Sequence, residues 1–134
     1  MDIAHFDDLL RLARQQREPQ VLLFVFASAG LPADASHSQR VQHDSGVGGE
    51  LTPLMCVDKT PAALTDFETL CAEAEVAGPP WAIVFSAALS GRNGQPPTVN
   101  DIDAALRRMV GAIQAGQLEG LLPFNRAGEP VQLT

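Results

Sequence analysis

Seven consecutive apolar residues, Val21-Leu22-Leu23-Phe24-Val25-Phe26-Ala27, constrain the fold more than any other feature of this chain. The run follows Pro19 and is far shorter than the roughly 20 residues that span a bilayer. Side chains along a strand point alternately to its two faces. Here both faces are apolar, so both must be covered, which places this strand near the centre of a sheet.

The flanking segments supply the covering layers. Ile3, Phe6, Leu9, Leu10 and Ala13 recur at three- and four-residue steps, which predicts an amphipathic helix. Asp2 is its expected N-cap, and Pro19 ends it by restricting Glu18. A stretch rich in Gly, Ala, Ser and Asp runs over 30–50, with a short helix expected around 36–42. A connection this long predicts a mobile loop. A second strand is predicted over 51–57, with Pro53 marking an edge or a bulge. Thr60-Pro61 has the form of a hydroxyl N-cap followed by proline at the first helical position. Leu64, Phe67, Leu70, Cys71 and Ala74 form the apolar face of the helix expected there. A third strand over 81–89 is again apolar on both faces. Thr98 and Asp101 form a capping box for a helix whose stripe is Val99, Ile102, Leu106, Met109, Val110 and Ile113, with Gly116 at its end. A small hairpin over 121–131 carries Pro123 and Pro130, which confine it to a sheet edge.

This order predicts a single α/β (or α+β) domain over 1–134: a mixed sheet of four to five strands with about three helices packed on it. Two strand–helix–strand units are expected to set strands in parallel. The 134 residues leave no room for a second core. A net charge of −7 disfavours nucleic acid and polybasic membrane contacts. The acidic start, Met1-Asp2-Ile3-Ala4-His5-Phe6-Asp7-Asp8, lacks a secretory pattern, and a cytoplasmic protein is expected. Cys56 and Cys71 form no CxxC and are expected to be buried, reduced thiols.

Few constellations carry chemistry. Gly46-Val47-Gly48 precedes a strand where a dinucleotide fingerprint would follow one. His37 and His43 are six apart and lack a third strong ligand, so no metal or other cofactor is expected. Asp101 and Asp103 suit a helix N-terminus better than acid–base work. Ser86 lacks the glycines of a nucleophile elbow. The remaining candidates are Asp58, Lys59 and Thr60, where the second strand passes into a helix, and Arg92 and Asn93, after the third strand. Ligands of parallel α/β sheets bind beyond the carboxyl ends of strands. Were these strands direct neighbours, the five residues would form one anion-binding rim. Lys59, the single lysine beside eight arginines, and Arg92 would supply its positive charge.

Phe6-Asp7-Asp8-Leu9-Leu10, Leu22-Leu23-Phe24-Val25-Phe26-Ala27, the segment from Gly48 to Thr60, Trp81-Ala82-Ile83-Val84-Phe85 and Leu122-Pro123-Phe124 carry a resemblance that covers nearly the whole chain. In these segments it resembles a family of small proteobacterial proteins whose members often bear the name ribonucleotide reductase subunit alpha. That name implies reduction of ribonucleotides. The catalytic subunit of such a reductase has several hundred residues, a redox cysteine pair, a radical cysteine and further C-terminal cysteines. Cys56 and Cys71 cannot supply that set, so reductase activity is not expected and no catalytic residue carries over. The first expectation is a non-catalytic module that binds a protein or a small anionic ligand, and a small homodimer fits it. The alternative is a small enzyme or an accessory factor in nucleotide metabolism, working through the Asp58/Lys59/Arg92 rim.

Overall fold

A computed structural model describes residues 3–30, 50–78 and 80–132. The expected loop over 30–50, with its short helix, lies largely outside the described residues, as does Asp2. The elements are α1 (Phe6–Arg14), β1 (Gln20–Gly30), β2 (Glu50–Lys59), α2 (Phe67–Ala77), β3 (Ile83–Ser90), α3 (Val99–Gln114) and β4 (Leu122–Phe124). They form an α/β fold with one four-stranded sheet and three helices, in the strand order β2-β1-β3-β4. No described helix is long and apolar enough to cross a membrane.

The central position of β1 follows from its sequence. Leu22, Phe24 and Phe26 point to one side, where they join Phe6, Leu10, Phe67 and Leu70 of α1 and α2. Val21, Leu23, Val25 and Ala27 point to the other, against Ala105, Met109 and Ile113 of α3. All seven side chains of the apolar run are buried. Phe6 joins the layers on the first side: its ring lies 4.8 Å from Phe67, 5.2 Å from Phe124 and 5.5 Å from Phe24, centroid to centroid.

Strand pairing departs from the expected parallel neighbours. Each hydrogen-bonded pair, β1 with β2, β1 with β3 and β3 with β4, is antiparallel. The unit β2–α2–β3 does return its two strands in one direction, since both oppose β1. However, β1 lies between them. Pro53 marks both an edge and a bulge, as its residue type requires. Phe26 faces Met55 while Ala27 faces Pro53, so Leu54 is the extra residue. Pro123 and Pro130 likewise sit at the opposite edge, where β4 contributes three residues and Phe124 bridges Pro130.

Two helix starts lie later than the sequence predicts. His5, not Asp2, caps α1: its ring accepts from the Asp7 amide, while the Asp8 carboxylate accepts from the His5 and Ala4 amides. Thr60 caps only one turn, through the Ala63 amide. Arg14 donates to the Leu64 carbonyl at 2.7 Å and more weakly to those of Pro61 and Thr65, so these oxygens serve α1 instead of a helix of their own. Asp66 then caps α2 by accepting from the Thr69 amide and hydroxyl. The capping box of α3 forms as predicted from Thr98 and Asp101, and Gly116 takes the left-handed backbone just beyond the helix.

Candidate functional site

Strand alternation decides where the five candidate residues go. Directly opposed residues of an antiparallel pair share a face. Asp58 opposes Leu23 and therefore lies on the α3 side, whereas Lys59 opposes Leu22 and lies on the α1/α2 side. The Lys59 ammonium pairs with Glu73 of α2 at 2.8 Å. Thr60 is held in its single turn. Asn93 and Gly94 occupy the centre of a tight turn, both with positive φ, while Arg92 and Gln95 exchange backbone hydrogen bonds at 2.9 Å. That is the geometry of a type I′ turn, and it accounts for the Asn-Gly pair by backbone conformation alone. Gly94 also donates to the Glu18 carboxylate, which ties the turn to the start of β1. A side chain on Gly91 would fall on the Gln95 carbonyl, so the close approach here requires glycine.

The five residues therefore do not converge. Arg92 instead lines a concavity of about 510 Å³ with Ser90, Gln95, Thr98, Asp101 and Arg108. It forms where β3 ends, the tight turn folds back and α3 begins. Arg92 and Arg108 have no ion-pair partner among the described residues. The Asp101 carboxyl is held below its ordinary value by the Thr98 amide and hydroxyl, and further by the charge of Arg92. Because Asp101 accepts from the Thr98 amide, it works as a cap and not as a free base. Two arginines and one aspartate in the lining leave the concavity with a net positive charge on an otherwise acidic chain.

Arg108 was not among the sequence candidates. Its signal was present: Asp101, Ala104 and Arg108 stand at i, i+3 and i+7 on one helix face, which borders the buried stripe of Ala105, Met109 and Ile113. Only the return of the Arg92 turn onto that face gives them a shared role.

The cysteines differ from expectation. Cys56 is exposed, because it lies on the edge strand, and Cys71 is half-buried. Cys56 lines a second groove with Leu106, Arg107 and Val110 of α3. Partial burial pushes both thiols above their ordinary value, so neither is an activated nucleophile. Among the described residues there is no group of three or more His, Cys, Asp or Glu side chains placed to hold a metal ion. Comparison with protein-family models, curated proteins and solved structures finds no match.

Proposed function

We propose that this protein is a cytoplasmic, non-catalytic binding module for an anionic group, either a small carboxylate or phosphate ligand or the same chemistry displayed on a partner. One observation carries this reading: Arg92 and Arg108 line one concavity and have no ion-pair partner among the described residues. Guanidinium forks suit carboxylate and phosphate oxygens, which accept two parallel hydrogen bonds. The proposed site retains Arg92 from the predicted rim and replaces Lys59 with Arg108, since Lys59 is paired with Glu73 on the other side of the sheet.

Titration calorimetry with phosphate, succinate and a nucleoside monophosphate tests this. Arg92→Ala and Arg108→Ala should each weaken binding by about 10- to 100-fold, the loss expected for a charge-assisted hydrogen bond. Lys59→Ala should bind like the wild type. Equal binding by all four proteins, or no heat at millimolar ligand, would overturn the proposal. Binding confined to the nucleotide would favour the alternative role in nucleotide metabolism over a general anion receptor.

A further inference from the structure

His5 stands where three separate parts of the chain meet. Its Nδ1 accepts from the Asp7 amide at 3.0 Å, and its Nε2 lies 3.1 Å from the Ala127 carbonyl. A carbonyl can only accept, so Nε2 carries the proton and Nδ1 is bare. The two contacts thus require the same neutral tautomer. The ring also meets Phe67, the first residue of α2, edge to face at 6.1 Å. Around it, the Phe6 amide donates to the Gly128 carbonyl at 2.7 Å, and the Phe67 amide donates to Asp7 Oδ1 at 3.0 Å. Gly128 leaves no slack: a Cβ there would sit 2.6 Å from His5 Nε2. The ring, the 125–128 turn and the first turns of α1 and α2 are therefore one packed unit.

We propose that His5 is a proton-operated latch that couples the start of α1 to the C-terminal turn. Proton uptake at Nδ1 turns an acceptor into a donor that faces the Asp7 N–H. The N-cap bond is then lost. The new N–H has an acceptor within reach, Asp7 Oδ2, 3.5 Å from Nδ1. Asp7 and Asp8 are the charged groups that face the ring from its own helix. The α2 helix presents the Phe67 ring, and the C-terminal turn presents backbone. Turning toward Asp7 moves the ring relative to Ala127 and Gly128, and it draws on the carboxylate that holds the Phe67 amide. The helix N-terminus opposes a cation at this position, which adds to the loosening.

Amide NMR between pH 8 and pH 5 tests the latch, because imidazoles change charge within this interval. At pH 8 the imidazole ¹⁵N shifts should show Nε2–H. On acidification the Asp7, Phe6 and Gly128 amides should shift together with the His5 ring. Hydrogen-exchange protection at Asp7 should fall about fivefold, the effect of a lost N-cap. His5→Asn keeps an N-cap acceptor and should remove the coupled shifts while leaving the fold intact. Asp7→Asn should keep the ring titration but change how the Asp7 and Phe67 amides respond. Nδ1–H at pH 8 would overturn the proposal. So would Asp7 and Gly128 amides that ignore the titration of His5, or coupled shifts that persist in His5→Asn.

Discussion

Ser86 should be a residue whose removal strengthens the protein. It lies in β3 between Phe24 of β1 and Leu122 of β4, fully buried, and its hydroxyl has no hydrogen-bond partner among the described residues. A buried hydroxyl left unpaired costs about 1–3 kcal/mol of desolvation. Ser86→Ala removes that cost and leaves an atom-sized gap, worth about 0.5 kcal/mol on the scale of core cavities. The net expectation is a gain of about 1–2 kcal/mol, or about 3–6 °C in Tm for a chain of this length. Urea unfolding of Ser86→Ala should show a higher midpoint at unchanged slope. Thr69→Val is the matched control. Its hydroxyl donates to Asp66 at 2.8 Å at the start of α2, so its loss should lower stability by about 1 kcal/mol. If Ser86→Ala instead lowers the midpoint by as much as Thr69→Val does, the hydroxyl has a partner and the reasoning fails.

Three further outcomes follow from particular contacts. Gly128 and Gly116 both have positive φ, but a side chain meets the His5 and Phe67 rings only at Gly128. Calorimetric unfolding should therefore show Gly128→Ala losing about 2–4 kcal/mol and Gly116→Ala about 1 kcal/mol. Asp8, Asp66 and Asp101 are held below the ordinary carboxylate value, Asp8 chiefly by the Ala4 amide and the other two by the Thr69 and Thr98 amides they accept from. A lowered folded-state value gives stability that is complete above the ordinary value near 3.8 and is lost as pH falls through the depressed ones. Acid unfolding followed by circular dichroism should start lower on the pH scale in wild type than in Asp66→Ala, whose loss of stability should itself fade in acid. Cys56 is exposed and Cys71 half-buried, so a maleimide followed by mass spectrometry should label Cys56 first; equal rates would contradict the edge position of β2.

The parts of this molecule that were legible in its sequence are those governed by local periodicity. The apolar run of β1 states its own burial on both faces, and the same logic gives α1 and α3 their buried stripes. Pro53 reports an edge and a bulge because proline lacks the amide that a central strand needs. Thr98-x-x-Asp101 reports a helix start because both hydrogen bonds are made within four residues. The misplaced start of α2 marks where that logic ends. Thr60-Pro61 is a sound local signal, yet the carbonyls of the following turn are taken by Arg14, 50 residues away at Leu64. No spacing within the segment could reveal that competitor.

The candidate site shows the same boundary more sharply. Lys59 ends β2 and Arg92 follows β3, and these strands run in the same direction, as a strand–helix–strand unit implies. Their separation depends on two facts outside the unit: β1 enters between the strands, and Lys59 falls on the face opposite to the Arg92 concavity. The second fact follows from register, because a shift of one residue along β2 would have exchanged the faces of Asp58 and Lys59. In that shifted register the lysine would lie on the α3 side, nearer the two arginines, and Asp58 would lie toward Glu73. Instead, each charge meets its opposite or solvent, and the positive spot is completed from α3 by Arg108. In the proposed site a basic residue is thus recruited by the face it occupies, not by its distance along the chain from a glycine or a helix cap. Lys59→Ala, Arg92→Ala and Arg108→Ala separate these possibilities, since only the two arginines share a surface.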